Sequence, residues 1–236
     1  SLPANEISSL LIDGDYLWVG TWKGLCKINT VTFRIDPVDL GKNNVIRTLY
    51  KDRANTIWIG TATGLIRYTN GNQEEYNSQN SNLSHNTIRA IHEDAFGNLW
   101  VGTYDKLNKL SRGNRTFETF DLKGNYKSAL KNNLICDIKP SRSTDSLLWV
   151  GTETGLCLLN IFTGRYSHYT EKNTSFSNEV VKNIYTDERG SLWLGTDFGL
   201  NIFNPKLKSN FALFHNPQLP YSIGNNVIWQ IVEDKG

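Results

Sequence analysis

A five-residue tryptophan motif recurs along the chain and constrains the fold more than any other feature. Leu17–Thr21 reads Leu-Trp-Val-Gly-Thr, and close variants of it follow at four later places. The tryptophans are separated by 40, 42, 49 and 44 residues (58−18, 100−58, 149−100, 193−149). A period of this length indicates a repeat architecture in which each repeat is one supersecondary unit. The five copies begin at Leu17, Ile57, Leu99, Leu148 and Leu192.

A second element, Asn-x-Ile-x-x-Ile or a close relative, lies upstream of each tryptophan. The fifth copy departs from it, because Glu179 takes the place of the asparagine. A sixth copy runs from Asn226 to Ile231, and no tryptophan motif follows it. The sequence therefore contains five matched repeats and the opening of a sixth. The other copies start at Asn5, Asn44, Asn86 and Asn133.

Each repeat contains four short runs rich in β-branched and aromatic residues, separated by turn residues. In the second repeat we expect strands at Val45–Tyr50, Thr56–Thr61, Leu65–Thr69 and Gln73–Asn77. Four strands in roughly 40–45 residues are typical of a propeller blade. The sequence thus predicts an all-β protein, a β-propeller of four-stranded antiparallel blades, with five complete blades plus the first strand of a sixth.

The blade boundaries follow from the period of the repeat. The sixth, partial blade should contribute Val227–Val232 as an unpaired first strand. Five and a fraction blades do not close a ring, so we expect the native protein to be a seven-bladed or a double propeller. The blades are expected at about 1–38, 39–79, 80–126, 127–171 and 172–216, with the partial blade at 217–236.

The residues that every repeat shares have structural interpretations. The tryptophan should fill the wedge between diverging neighbouring sheets, and the glycine after it should permit close backbone approach. Asp52, Asp94 and Asp187 fall at the turn between first and second strands, where an aspartate supplies a local hydrogen bond. A calcium interpretation of these aspartates is disfavoured, since they are a blade apart and cannot share one ion. We expect no cofactor and no metal.

Composition excludes several classes of function. The net charge is +2, with 25 basic and 23 acidic residues and no basic block, so nucleic acid is not an expected partner. The three cysteines form no Cys-x-x-Cys pair, and we expect them to be unpaired thiols. Signatures of metalloproteases, serine hydrolases and phosphate-binding loops are missing. The chain is therefore not expected to be an enzyme.

The repeat resembles that of the two-component regulator propeller family. The resemblance rests on Leu-Trp-Ile-Gly-Thr-x-x-Gly-Leu preceded by Asn-x-Ile-x-x-Ile-x-x-Asp, and on linkers such as Asn160–Gly164. It implies the ligand-sensing, extracytoplasmic region of a hybrid two-component histidine kinase, located in the periplasm as part of an inner-membrane protein. It also implies a glycan-derived oligosaccharide as ligand, the rest of the receptor chain as a partner, and a homodimer in the full-length protein.

A candidate ligand face follows from the meander of the strands. The two variable residues of each Gly-Thr-x-x-Gly-Leu loop should lie on the face opposite to the aspartate turns. Their frame is fixed while they change from blade to blade, which is where specificity can be placed. Residues near the starts of first strands, Arg47 among them, should lie close by. The predicted ligand-binding residues are Trp22, Lys23, Tyr104, Asp105, Glu153, Asp197, Phe198, His85, Arg89 and Trp229.

Other interpretations of the same residues stay open. They could be ordinary solvated loop tips. A propeller lyase or glycoside hydrolase would need carboxylates to converge, for which Asp105, Glu153 and Asp197 are available. A protein–protein interaction scaffold would instead need an exposed apolar patch. Lys106 stands where the other loops have glycine, so it either adopts a positive φ or reshapes its loop.

Overall fold

The chain folds into a succession of four-stranded antiparallel sheets. The computed structural model describes residues 1–42, 45–122 and 134–234, and in these it contains five such sheets and one short helix. In each sheet the strands are hydrogen-bonded in chain order, as a meander requires. The strands of the first three sheets are β1 (Ile7–Asp13), β2 (Tyr16–Thr21), β3 (Gly24–Asn29), β4 (Ile35–Val38), β5 (Ile46–Lys51), β6 (Ile57–Thr61), β7 (Leu65–Thr69), β8 (Asn72–Tyr76), β9 (Ile88–Glu93), β10 (Leu99–Thr103), β11 (Leu107–Leu110) and β12 (Glu118–Phe120).

Two further sheets follow beyond the gap in the described residues. Residues 123–133, on which the predicted boundary between the third and fourth blades falls, lie outside the described part of the chain. The single-turn helix α1 (Glu171–Thr174) connects the fourth sheet to the fifth. The strands are β13 (Ile135–Pro140), β14 (Leu147–Thr152), β15 (Gly155–Asn160), β16 (Tyr166–Tyr169), β17 (Val181–Thr186), β18 (Leu192–Thr196), β19 (Leu200–Asn204) and β20 (Ser209–Leu213).

The prediction of four-stranded antiparallel blades is confirmed. The four strands β5 to β8 begin and end within one residue of the runs expected in the second repeat. Their ladders are regular apart from one bulge between Ile46 and Thr48. The alternation of apolar and polar side chains and the turn residues were therefore sufficient to locate these strands.

The repeated aspartate shapes a turn and also binds the repeated tryptophan. One carboxylate oxygen of Asp52 accepts the backbone N–H groups of Ala54 and Thr56, at 2.9 and 2.8 Å. The other oxygen accepts the indole N–H of Trp58 at 2.8 Å. Because a buried indole N–H needs an acceptor, this bond allows the ring to enter the core without an unsatisfied donor. The same pairs occur as Asp94–Trp100 and Asp187–Trp193.

The glycine after each tryptophan permits neighbouring sheets to approach closely. A Cβ atom placed on Gly60 would lie 2.8 Å from Cγ2 of Ile88 in the next sheet and 2.6 Å from Cγ2 of Thr48. At Gly20 the corresponding distance to Cγ2 of Ile46 is 2.5 Å. Any side chain at these positions would separate the sheets, which explains why the motif keeps glycine there.

The described chain divides into two compact units, Ser1–Phe120 and Asp121–Gly236. In the first unit, a buried cluster containing Trp58, Ile88 and Val101 joins the second sheet to the third. In the second unit, a buried cluster containing Trp149 and Phe203 joins the fourth sheet to the fifth. Each core therefore lies between consecutive sheets and contains a tryptophan of the repeat.

The sixth copy of the repeat packs as a first strand would, without forming a ladder. Ile228 lies against Gly195: a Cβ atom placed on that glycine would lie 2.9 Å from Cγ2 of Ile228. The N–H of Ile228 donates to the carbonyl of Thr196 at 3.0 Å. The N–H of Ile231 donates to the side chain of Asn183 at 2.9 Å. Val227–Val232 is not assigned as a strand, since no second strand lies beside it among the described residues.

Candidate functional site

The loop after each second strand has one hydrogen-bonded frame in all five sheets. The threonine that ends the strand is buried, and its hydroxyl donates to the carbonyl three residues on, for example Thr61 to Gly64 at 2.8 Å. The same hydroxyl accepts the N–H two residues on, for example that of Thr63 at 3.0 Å. The two residues between are thereby held at the surface in a fixed conformation. The five threonines are Thr21, Thr61, Thr103, Thr152 and Thr196.

Lys106 reshapes its loop without adopting a positive φ. The φ angle of Lys106 is not positive, whereas Gly64 and Gly155, at the equivalent position of their loops, have φ angles of 157° and 132°. The hydroxyl of Thr103 still donates to the carbonyl of Lys106 at 2.9 Å and accepts its N–H at 3.1 Å. The alternative left open by the sequence is thus resolved in favour of a local change of the loop.

In the first unit, three predicted ligand-binding residues form one cluster. The ring of His85 stacks on that of Tyr104, with centroids 5.7 Å apart and an interplanar angle of 14°. The guanidinium of Arg89 lies over the ring of Tyr104 at 5.9 Å. Nδ1 of His85 accepts the N–H of Thr87 at 3.0 Å, which holds the imidazole in this orientation. The result is an aromatic pair, with His85 exposed and Tyr104 half-buried, that has a cation beside it.

Trp22 forms a second exposed aromatic surface in the same unit. Its side chain is 55% exposed, and the guanidinium of Arg47, from the next sheet, lies 5.5 Å from its ring centroid. Lys23 beside it is also exposed. Asp105 lies near Lys106, with 4.0 Å between the charged atoms, which is a weak contact at this exposure.

In the second unit, Asp197 and Trp229 are joined by a lysine that the sequence analysis did not select. Nζ of Lys182 forms an ion pair with the carboxylate of Asp197 and lies 3.7 Å from the ring centroid of Trp229. The side chain of Lys182 is only 13% exposed, whereas Trp229 is 68% exposed. The charge of Lys182 is therefore balanced by Asp197, and its side chain is mostly buried. It orients the indole of Trp229, which stays exposed to solvent.

Two other predicted residues of this unit lie apart from that cluster. Phe198 is 52% exposed and packs its ring on Phe214, with centroids 5.5 Å apart. Glu153 is exposed at the surface, and its backbone N–H donates to the carbonyl of Leu134 at 3.3 Å.

The residue that sequence reasoning missed had a detectable signal. Lys182 occupies the fourth position of the Asn-x-Ile-x-x-Ile element, as Arg47, Arg89 and Trp229 do in their copies. Each of these four side chains makes a cation–π contact with a loop residue or with a neighbouring copy of the same position. Comparing the repeats position by position, in addition to the loops, would have selected it.

The fifth position of the same element holds neighbouring first strands together. A carboxylate oxygen of Asp137 accepts the N–H of Ile184 at 2.9 Å and the side-chain amide of Asn183 at 3.0 Å. Burial raises the pKa of Asp137, while the ammonium of Lys139 and the backbone N–H of Ile184 act in the opposite direction. Ser9 plays the same part for the N–H of Leu49 in the first unit. These bonds hold neighbouring first strands together, so their role is structural.

Metal and membrane features can be stated for the described residues. In the ranges 1–42, 45–122 and 134–234, no group of three or more His, Cys, Asp or Glu side chains is arranged to hold a metal ion. In those same ranges no helix has both the length and the apolar character needed to cross a bilayer.

The sheets, their tryptophan–glycine packing and the threonine-framed loops define a β-propeller protein. The family model "Two component regulator propeller" matches residues 1–23, 40–63, 82–105 and 175–198. Each matched segment runs from a first strand to the loop after the second strand, which includes the variable loop positions. Four segments of the chain therefore match the repeat of the two-component regulator propeller family.

Solved structures of sensor proteins share this fold. The extracellular domain of BT4673 from B. thetaiotaomicron, assigned to the hybrid two component systems, is 25% identical with a TM-score of 0.87, covering 100% of this chain and 31% of that one. The corresponding domain of BT3049 from the same organism is 24% identical with a TM-score of 0.78, covering 93% of this chain and 30% of that one. This chain thus spans about a third of those domains and is homologous to extracellular domains of hybrid two-component systems.

A more distant likeness includes an enzyme and shows the fold alone. Virginiamycin B lyase from Staphylococcus aureus is 13% identical with a TM-score of 0.69, covering 91% of this chain and 71% of that one. No curated protein sequence matches this chain significantly.

Proposed function

We propose that this chain is part of the ligand-sensing region of a two-component signalling receptor and that it binds oligosaccharides derived from glycans. The observation that carries the proposal is the cluster of His85, Tyr104 and Arg89, in which the half-buried Tyr104 ring is fixed by stacking on the exposed His85 ring and is accompanied by a cation. A sugar presents a flat apolar face and a rim of hydroxyl groups. A rigid aromatic surface beside charged hydrogen-bonding groups complements both.

Other residues of the loop face, which is the surface formed by the threonine-framed loops and the adjacent starts of first strands, extend the same chemistry. Trp22 with Arg47 repeats the aromatic–cation arrangement in the first unit, and Trp229 with Lys182 repeats it in the second. In the second case the cation is already held by its ion pair with Asp197, so little side-chain entropy of Lys182 is lost when a ligand binds. We propose Lys23, Asp105, Glu153, Asp197 and Phe198 as secondary contacts, because they occupy equivalent loop positions.

The homology with extracellular domains of two-component systems supports a proposal for the location and the partners. We propose that the chain lies in the periplasm, that the rest of the receptor chain is its signalling partner, and that the full-length protein is a homodimer. No catalytic role is proposed. In the second unit the carboxylate of Asp197 is already engaged in an ion pair with Lys182.

The test is a calorimetric titration of the full-length protein with a panel of defined glycan oligosaccharides, with product analysis of the same samples. Saturable binding without turnover is expected for at least one oligosaccharide. Tyr104→Ala should weaken that binding by about tenfold or more, because an aromatic contact at the centre of a site is commonly worth over a kcal/mol. The matched control is Phe162→Ala, which removes an exposed ring (66% exposed) from the turn between β15 and β16.

Each other outcome contradicts a stated part of the proposal. Turnover of an oligosaccharide would assign the chain to the enzymes. Binding that Tyr104→Ala and Trp22→Ala leave unchanged would exclude the loop face as the site. Absence of binding across the panel would remove the sugar ligand and favour an interaction scaffold.

A further inference from the structure

Two arginines on the loop face of the first unit have no counter-ion. Arg47 and Arg89 occupy the same position in the first strands of the second and third sheets, and both are half-buried. Within residues 1–42, 45–122 and 134–234, neither guanidinium forms an ion pair with a carboxylate. Nε of Arg47 is buried and has no hydrogen-bond partner among those residues. Because an unsatisfied buried donor and an unpaired charge both cost free energy, an anionic acceptor would stabilise this surface.

The equivalent lysine of the second unit is paired within the protein. Lys182 occupies the same position in β17, and its Nζ forms an ion pair with Asp197, the first variable residue of the loop in its own sheet. In the first unit the first variable residues are Trp22, Ala62 and Tyr104, and none of them is acidic. The protein therefore provides a counter-ion for this lysine and none for the two arginines.

The carboxylates on the loop face of the first unit do not balance its cations. Asp105 lies 4.0 Å from Nζ of Lys106, the residue next to it in the chain. Glu6 is exposed beside Trp22, whose backbone N–H donates to the carbonyl of Glu6 at 3.3 Å. Two carboxylates thus face four cations, and the surface is positively charged. The cations are Lys23, Arg47, Arg89 and Lys106.

A cleft at the opposite end of the second and third sheets has a different charge balance. Its volume is about 690 Å³, and it opens beside the long turn after β11. There Arg67 pairs with Glu74 at 3.5 Å, and Arg53 lies 4.0 Å from Glu93. The charge of the cleft is largely matched by the protein, so the loop face is the better site for an anion. The charged residues that line the cleft are Arg53, Arg67, Arg112, Arg115, Asp52, Glu74 and Glu93.

The loop of the second sheet connects the strands that carry the two arginines. The N–H of Ala62 donates at 3.1 Å to the carbonyl of Val45, which precedes the strand of Arg47. The carbonyl of Ala62 accepts the hydroxyl of Thr87, which precedes the strand of Arg89, at 3.2 Å. The two cationic positions therefore belong to one continuous surface.

Aromatic residues lie on both sides of that loop. Trp22 is in the loop of the first sheet and Tyr104 in the loop of the third, whereas the second loop carries the small side chains of Ala62 and Thr63. Each ring has one of the two guanidinium groups near it, at 5.5 and 5.9 Å from the ring centroid. The small side chains of the second loop leave space between the two rings.

We propose that the loop face of the first unit selects an acidic saccharide, whose uronic acid carboxylates bind Arg47 and Arg89. Because the loop face is the proposed sugar site, this assignment rests on the proposed function. A cation–π contact uses none of the N–H donors of a guanidinium, and those donors bind a carboxylate through two parallel hydrogen bonds. Trp22 and Tyr104 pack against the neighbouring sugar rings. The ligand thus provides the counter-ion that the chain provides for Lys182.

The experiment is a calorimetric titration of the full-length protein with oligogalacturonate, oligoglucuronate and oligomannuronate, each compared with its methyl ester of the same length. The ester keeps the sugar skeleton and removes the charge. At least one oligouronate should bind about tenfold or more tightly than its ester, since a charge-assisted hydrogen bond contributes on the order of one decade in affinity. Added salt should weaken that binding, because the contacts are charged.

Variants of the arginines and of the second loop test where the carboxylate binds. Arg47→Ala and Arg89→Ala should each weaken binding of the oligouronate by about tenfold, and Arg47→Lys, which keeps the charge and loses the paired donors, should have a smaller effect. Ala62→Asp places a carboxylate in the second loop where Asp197 stands in the fifth. It should remove the preference for the oligouronate over its ester without lowering the Tm, because it supplies Arg47 with an internal counter-ion.

The matched control is Arg189→Ala, which removes an exposed arginine from the turn between β17 and β18 and should leave binding unchanged. Equal binding of the oligouronates and their esters, or binding that survives both arginine variants, would overturn the assignment. Binding of neutral oligosaccharides alone would overturn it and leave the proposed function intact. Absence of binding by every probe, acidic or neutral, would overturn the sugar ligand of the proposed function as well.

Discussion

The two ends of the blades in the first unit diversify in different ways. At one end the loops after the second strands keep the same length and the same threonine frame while their side chains change, for example from Trp22 to Tyr104, with one local change of backbone at Lys106. At the other end the turns change in length, from two residues after β7 to seven after β11. Substitution on a fixed frame produces an open aromatic surface, whereas a longer turn produces a cleft.

This difference has a physical origin in where the buried hydrogen bonds lie. The threonine hydroxyl of the loop is committed to two backbone groups, so a change of loop length would leave buried polar atoms unsatisfied. At the turn face, which is the end of the blades opposite the threonine-framed loops, the aspartate of the turn between first and second strands binds the tryptophan of the second strand. The turn between third and fourth strands carries no such repeated bond and is free to lengthen. The loop face therefore tolerates changes of side chain, and the turn face tolerates changes in the length of the turn between third and fourth strands.

The largest expected effect concerns the aspartate of the turn face. Asp94→Ala removes the acceptor of the Trp100 indole N–H and of the Phe96 and Asn98 backbone N–H groups, and both Asp94 and Trp100 are buried. Leaving several buried donors unsatisfied should lower the free energy of unfolding by about 3 kcal/mol. Urea unfolding followed by tryptophan fluorescence measures this.

The matched control is the equivalent turn of the first sheet. Asp13 there binds Lys51 in a half-exposed ion pair at 2.6 Å, and the indole N–H of Trp18 has no hydrogen-bond partner among the described residues. Asp13→Ala should therefore cost only about 1 kcal/mol or less. Equal losses for the two variants would show that the aspartate–tryptophan bond is not what stabilises the turn face.

Packing between sheets should give the next largest effect. Gly60→Ala places a methyl group within 2.8 Å of Ile88 and 2.6 Å of Thr48, and should cost about 2 kcal/mol through overpacking. Gly71, in the exposed turn after β7, has φ of 86° and nothing within 4 Å of its Cβ position, so Gly71→Ala tests backbone strain alone. The second variant should cost about 1 kcal/mol or less. If Gly71→Ala lowered the stability more than Gly60→Ala, backbone strain in the turns would be a stronger constraint than packing between the sheets.

A pH titration sharpens the comparison through Asp187. Partial burial alone would raise its pKa, but hydrogen bonds from the Trp193 indole and from the Ser191 and Arg189 backbone hold the pKa below its ordinary value of 3.8. A carboxyl with a lowered folded pKa stabilises the protein above its unfolded pKa, and this contribution is lost as the pH falls through the folded pKa. Stability should therefore decrease with acidification below about pH 4.

Asp187→Asn isolates that contribution. The amide keeps one acceptor for the turn but cannot ionise, so the difference in Tm between wild type and variant should be largest near neutral pH and should shrink below about pH 4. Thermal melts at a series of pH values measure it. A difference independent of pH would mean that the charge of Asp187 contributes nothing.

The smallest expected effect on stability belongs to the loop face. Tyr104→Ala removes a half-buried stack with His85 and a contact with Arg89, neither of which belongs to the buried core. The free energy of unfolding should change by about 0.5 kcal/mol or less. A thermal melt measures this, and a loss comparable to that of Gly60→Ala would show that these side chains are structural and not reserved for a ligand.

Much of the fold was predictable because each repeat is specified by local features of the sequence. Alternation, turn residues and the period placed β5 to β8 within one residue. The candidate site was predictable only as a set of equivalent positions. Which side chains meet depends on contacts between consecutive sheets: His85 and Tyr104 stack, whereas Lys182, which the loops alone did not indicate, joins Asp197 to Trp229.

The sequence by itself determined the repeated blade, the turns formed by its aspartates and the positions at which blades differ. These depend on residues close together in the chain and on a period that recurs five times. Tertiary structure alone decided which loop residues pair and where a cleft opens. The cleft at Arg112 and Arg115 exists because a long turn in one sheet is held by Phe117 against the sheet before it. Contacts between residues far apart in sequence carry no periodic signal, so they become visible only when the sheets are packed together.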